Sequence, residues 1–137
     1  MQTSAARDAA AGAPPLSGRP ILIAEDEMFI AHDIAYGVEE AGGMVLGPVS
    51  TVEDALTLLR THDVGGAILD VNLLDGDVTP VLQRLVRDGV AVIVNTGTAR
   101  PWEMEKHFPT VPVFTKPTEP ETLTEALADR IGAAPVR

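Results

Sequence analysis

Residues 21–27 read Ile-Leu-Ile-Ala-Glu-Asp-Glu, four apolar side chains in a row followed by three acids. A short, near-continuous apolar run suits a strand covered on both faces, the kind found in parallel sheets. The construction recurs three times. Ala67-Ile68-Leu69 runs into Asp70, Val92-Ile93-Val94-Asn95 into Thr96, and Val113-Phe114-Thr115 into Lys116-Pro117. In open parallel sheets, ligands sit outside the carboxyl ends of the strands, near the switch in strand order. If these runs are neighbouring strands, Glu25, Asp26, Asp70, Thr96 and Lys116 converge at one sheet edge.

Between the runs lie helix-length amphipathic segments, and strands alternating with helices predict an α/β fold on a parallel sheet. Strand one covers about 20–25. A helix over about 27–41 carries Ile30, Ile34, Val38 and Ala41 at helical spacing and ends at Gly42-Gly43. Strand two runs from Met44 to Pro48. Ser50-Thr51 offers a helix cap, with Glu53 three residues after Ser50 in capping-box position, for a helix whose inner face is Val52, Ala55, Leu56 and Leu59. Strand three covers about 66–71, and the loop 72–76 leads to Asp77 as N-cap of a helix with Val78, Val81, Leu82 and Leu85 inward. Strand four is about 91–96, a helix with poor apolar spacing lies near 99–107, and strand five is about 112–115. Thr118 and Glu121 form a second capping box before a helix with Leu123, Leu127 and Ile131 four apart. The sum is five strands and five helices without an internal repeat.

Composition narrows the function. At 137 residues the chain is expected to be one domain with a real core. Residues 1–18, rich in Ala, Gly, Pro and Ser, read as a flexible tail, 19–133 as the domain and 134–137 as a short C-terminal tail. No apolar stretch approaches the roughly 20 residues that span a bilayer, and the N-terminus lacks the pattern of a secretory signal. No cysteine is present, which excludes disulfides and thiolate metal sites and fits a cytoplasmic protein. Ten Lys/Arg stand against twenty Asp/Glu, a formal charge of −10, with no basic cluster. Direct nucleic-acid binding, which needs a basic surface to neutralise phosphates, is disfavoured.

Acids, hydroxyl and ammonium at one edge suit phosphoryl chemistry. Mg²⁺ prefers oxygen ligands from one or two carboxylates, water and phosphate. A divalent cation also relieves the mutual repulsion of clustered carboxylates. One carboxylate can then act as a nucleophile toward phosphorus, with a lysine and a threonine hydroxyl to stabilise the bound phosphoryl oxygens.

With these pieces in place, the chain resembles the receiver domain of two-component response regulators over about residues 20–132. The matching strings are ILIAEDE (21–27), AILDVNL (67–73), VNTGT (94–98) and FTKP (114–117). Each is modest alone, and four in order at the right strand ends are specific. The VGPV-like and LDVNL-like segments are most similar to short receivers of alphaproteobacterial type. The resemblance implies a flavodoxin-like (βα)5 sandwich with strand order 2-1-3-4-5. It makes Asp70 the phosphoacceptor, Asp26 a direct Mg²⁺ ligand, Glu25 a ligand through water, and the Asn72 main-chain carbonyl the remaining protein ligand. Thr96 would follow the phosphoryl group and Lys116 would bind it, while Gly97 keeps the site open and Lys116-Pro117 matches a bond often cis. Asn72 and Thr98 fall where family members tune water attack on the acyl phosphate. The implied partners are a sensor histidine kinase or histidine phosphotransfer protein. A downstream target at the surface of the fourth helix, fifth strand and fifth helix is also implied, with neither nucleic acid nor membrane. The protein would not be an enzyme beyond its own phosphorylation and dephosphorylation.

Other readings are plain enough to state. Taken singly, Asp26 or Asp70 would be a turn or cap residue and Lys116 a solvated lysine. Glu27 reads as a first-turn acid complementing the helix dipole. His32, His62 and His107 lack metal-ligand spacing. Trp102 and Phe108 read as satellite packing or a partner surface. A metal-dependent aspartyl-phosphate phosphohydrolase would want an acid two residues after the nucleophile, where Asn72 stands, and a flavin-binding flavodoxin-like module has only Thr96-Gly97-Thr98 in its favour. Three positions depart from the receiver pattern. Val113 replaces the usual aromatic, with Phe114 on the opposite face of the strand. Leu74 stands where proline is common, and Asn95 puts an amide where an apolar residue is usual.

Overall fold

The structure, a computed structural model, describes residues 14–97 and 102–133. Strands β1 (Pro20–Ala24), β2 (Met44–Val49), β3 (Gly66–Leu69), β6 (Val92–Thr96) and β7 (Val113–Thr115) form one parallel sheet in the order β2-β1-β3-β6-β7. Counted along the chain without the small hairpin β4 (Asn72–Leu73) and β5 (Gly76–Asp77), this is the order 2-1-3-4-5. The helices are α1 (Met28–Glu40), α2 (Val52–Thr61), α3 (Thr79–Arg87), α4 (Trp102–His107) and α5 (Pro120–Gly132).

Alternation along each strand divides the core in two. Leu22, Ala24, Leu69, Val92 and Val94 face Ala55 of α2, Val81, Leu82 and Leu85 of α3, and Met104 of α4. Ile21, Ile23, Ile68 and Ile93 face Ile34 and Val38 of α1 and Leu123 and Leu127 of α5. Both faces of β1, β3 and β6 are therefore covered, which is why their sequences read as unbroken apolar runs. Val113 packs into the first cluster and Phe114 into the second, so the aromatic does lie on the face opposite the usual position.

Several local expectations need correction. The expected flexible tail over residues 1–18 ends too late. Leu16 is fully buried in the α1/α5 cluster, its N–H donates to Ala41 O at 2.9 Å, and Gly18 N donates to Gly42 O at 2.7 Å. One leucine among small residues is enough to close the lower end of the core. Residues 1–13, the tail 134–137 and Thr98 lie outside the described residues.

Two capping boxes are also displaced. At α2 the cap is Thr51 of the Ser50-Thr51 pair, whose Oγ1 accepts from Asp54 N at 3.0 Å, and the box of Ser50 with Glu53 does not form. The Val52 and Glu53 N–H groups donate instead to the Asp75 carboxylate, at 2.6 and 3.1 Å. A carboxylate from the β4–β5 turn thus closes the helix end that a local box was expected to close. At α5 the Thr118 hydroxyl donates back to Thr115 O at 3.0 Å, and the helix begins after Glu119 with Pro120 in its first turn. At α3 the N-cap is Val78 rather than Asp77, which ends β5 and accepts from the Thr79 N–H at 2.7 Å and from the Thr79 hydroxyl, one position before the cap. The Lys116-Pro117 bond is cis, as the resemblance implied, and so is Gly47-Pro48.

Candidate functional site: an acidic pocket bridged by Lys116

The site forms where β1, β3, β6 and β7 end. Parallel pairing sets Ala24 beside Leu69, so Glu25 and Asp70 come side by side one residue later. The Asp70 N–H donates to Ala24 O and the Glu25 N–H to Val49 O, both at 2.9 Å, which fixes the two backbones beyond their strands. Glu25 and Asp70 are almost fully buried, and Asp26 is half-buried beside them. One carboxylate oxygen from each of Glu25, Asp26 and Asp70 lies within 4.8 Å of the others.

Lys116 reaches into this group from β7. Its ammonium donates to Asp70 Oδ2 at 2.9 Å, to Glu25 Oε2 at 2.9 Å and to Glu27 Oε2 at 3.1 Å. All three ammonium hydrogens are engaged. The lysine must pass over β6 to do this, because β6 lies between β7 and β3. The stem runs past Gly97: a Cβ built there would lie 3.8 Å from Lys116 Cδ, an ordinary van der Waals contact. The backbone is held in step by the Lys116 N–H donating to Thr96 O at 2.8 Å.

One ammonium among four acids leaves the pocket short of positive charge. Burial pushes the Glu25 carboxyl up to about 7, against the lowering pull of Lys116 and of the Glu27 N–H, with the Asp70 charge adding to the rise. Burial also opposes the Lys116 charge, but the bonds to Asp70, Glu25 and Glu27 outweigh it and hold the ammonium above its ordinary value. A cluster of hard oxygen donors that cannot comfortably ionise together fits a divalent cation such as Mg²⁺.

Of the residues singled out in the sequence, Glu25, Asp26, Asp70 and Lys116 are brought together directly. Thr96 is fully buried at the end of β6, one strand from Asp70. Asn72 opens the β4–β5 hairpin, and its N–H lies 3.4 Å from Asp70 Oδ1. Two members escaped the sequence reading. Glu27 is the N-cap residue of α1 rather than a first-turn acid, its side chain makes no cap bond, and its carboxylate bonds Lys116 from 89 positions away in the chain. Asp75 ties the hairpin to α2. Only the third acid in the Glu25–Glu27 run hinted at the first, and nothing local marked the second.

No family model and no curated protein matches the sequence. Solved structures do. SdrG from Sphingomonas melonis Fr1 is 32% identical, over 83% of this chain and 97% of that one, with a TM-score of 0.71. A response regulator receiver protein from Sinorhizobium medicae WSM419 is 22% identical over 88% of this chain and 99% of that one, with a TM-score of 0.77. The response regulator PhyR from Brucella abortus is 24% identical over 96% of this chain, with a TM-score of 0.70; the chain spans 56% of its length, and 49% of PhyR from Bartonella quintana. The likenesses below 25% identity, to the Sinorhizobium, Brucella and Bartonella proteins, show the fold. A relative 32% identical and spanned almost end to end shows the family: the chain belongs to the response regulator receiver domains.

Proposed function

We propose that Asp70 accepts a phosphoryl group from the phosphohistidine of a sensor kinase or phosphotransfer protein, or from a small phosphodonor. The observation that carries this reading is the Lys116 ammonium 2.9 Å from Asp70 Oδ2 inside a buried set of acids. An Asp70 carboxylate oxygen attacks phosphorus as the phosphorus–nitrogen bond of the donor breaks, and the departing imidazole takes a proton from solvent. Lys116 neutralises the charge that gathers on the transferring oxygens. Glu25, Asp26, Asp70 and the Asn72 carbonyl would hold Mg²⁺, which when bound supplies further positive charge to the phosphoryl oxygens. The Thr96 hydroxyl then bonds a phosphoryl oxygen in the modified protein. The product carries up to about two extra negative charges, enough to bias a switching surface.

Met28 and Phe29, 69% and 87% exposed at the start of α1 just after the acids, offer apolar surface for a donor protein. The reaction is a stoichiometric self-modification rather than turnover of a substrate. Among the described residues no helix is long and apolar enough to cross a membrane, which is compatible with action in the cytoplasm. Incubation with acetyl phosphate and Mg²⁺ should add one phosphate, a mass shift of about 80 Da, with Asp70→Ala abolishing it. A shift that persists in Asp70→Ala would refute the assignment.

A further inference from the structure

Asn95 is 2% exposed, and its Oδ1 is the only buried side-chain oxygen among the described residues without a hydrogen-bond partner. Such an atom in the middle of a parallel sheet costs stability, and valine or isoleucine would fit better there. Its address suggests what offsets that cost. Leu69 pairs with Val94, so one residue further Asn95 stands beside Asp70, and on its other side Asn95 pairs with Phe114. Ile23, Ile68 and Ile93 lie on the α1/α5 face, as does Phe114. Two residues on from those isoleucines along the same face come Glu25, Asp70 and Asn95. The row Glu25–Asp70–Asn95–Phe114 therefore crosses the sheet on one face, and Lys116 follows Phe114 on that face. The lysine stem passes Gly97 on its way to Asp70, and Asn95 precedes Gly97 by two residues on that face.

We propose that Asn95 is a positioning residue acting through Lys116: its Oδ1 accepts the ammonium hydrogen that Glu27 gives up when the lysine turns from the Asp70 carboxylate to the phosphoryl group. This rests on Asp70 being the phosphoacceptor. In the unmodified protein the three hydrogens go to Asp70, Glu25 and Glu27. Once an Asp70 oxygen is bonded to phosphorus, the hydrogen given to Asp70 passes to a phosphoryl oxygen; the ammonium turns with it, leaves the exposed Glu27 carboxylate and needs a new acceptor to hold that orientation. Asn95 Oδ1 supplies an acceptor in the row beneath the lysine, without adding a charge that would repel the phosphoryl group.

Asn95→Val and Asn95→Thr test this, because they share a shape and differ in one acceptor oxygen. With acetyl phosphate and Mg²⁺, valine should slow Asp70 phosphorylation about tenfold, the scale of a lost hydrogen bond to a charged group, and threonine should retain most of the rate. In metal-free protein both variants should melt above wild type, valine by about 3–6 °C, because an unpartnered amide is removed. Equal rates for valine and threonine would overturn the role of the oxygen, and so would a valine variant that melts below wild type. A wild-type protein that takes up no phosphate would instead overturn the phosphoacceptor reading, so the two failures are separable.

Discussion

Removing the Glu25 charge should flatten the dependence of stability on pH, and the size of the effect follows from the pocket. The Glu25 carboxyl rises from 4.5 to about 7 on folding, chiefly through burial. At about 1.4 kcal/mol per unit this is a differential of about 3 kcal/mol between the ionised and protonated forms. Because the folded value lies above the unfolded one, the native state binds more protons than the unfolded state between those limits. Stability therefore falls as pH rises through this window. Evaluated between pH 5 and pH 8, the loss is about 2.5 kcal/mol. The raised lysine does not interfere, since its stabilisation is present throughout the neutral range and is lost only in strong alkali. Urea unfolding of metal-free protein at pH 5, 6.5 and 8 should show this decline in wild type and at most half of it in Glu25→Gln. Mg²⁺ at pH 8 should then stabilise wild type more than the variant, because it binds the ionised cluster of the folded state. A wild-type stability that is level from pH 5 to 8, or a variant with the full slope, would refute the account of the pocket as short of positive charge.

Other perturbations test how the site is held. Leu16→Ala should cost about 2–4 kcal/mol in denaturant unfolding, because the side chain is fully buried in the α1/α5 cluster; a neutral result would return residues 14–18 to the tail. Gly47→Ala should cost at least about 2 kcal/mol, since φ is +99° and a Cβ would stand 2.8 Å from Val49 N and 2.9 Å from Ile23 O; an unchanged melting curve would contradict that contact. Asp75→Asn should lower the melting temperature at neutral pH by weakening the acceptor for Val52 N and Glu53 N. Those bonds hold the Asp75 carboxyl below its ordinary value, so its stabilisation is present above pH 4 and fades as pH falls below it. Wild type and variant should therefore converge in acid, and a difference that grew there would count against the carboxylate.

The fold was legible because burial on both faces leaves a mark that needs no knowledge of the partner. The runs Ile21–Ala24, Ala67–Leu69 and Val92–Val94 are apolar at successive positions, and the acids and lysine that end them announce a strand terminus. Capping was less legible. Thr51 and Asp54 form the bond that Ser50 and Glu53 were expected to form, and Asp75 takes the two neighbouring N–H groups. A local motif predicts which side chains can cap but not which one the next loop leaves room for. Leu16 was hidden for a related reason: a single apolar residue has no periodicity.

The sequence by itself determined the architecture, the strand ends and the identity of Glu25, Asp26, Asp70, Thr96 and Lys116, because strand ends in a parallel sheet are set by local chemistry and short spacing. Tertiary structure alone decided how these groups are bonded. It gave Lys116 three carboxylates, drew Glu27 into the pocket, and pushed the Glu25 carboxyl up to about 7. It also turned Asn95, an amide without explanation in the sequence, into a neighbour of Asp70 on the face of the sheet that carries the acids. Such facts depend on register between strands far apart in the chain and on the water that packing excludes, and neither is written in any one segment.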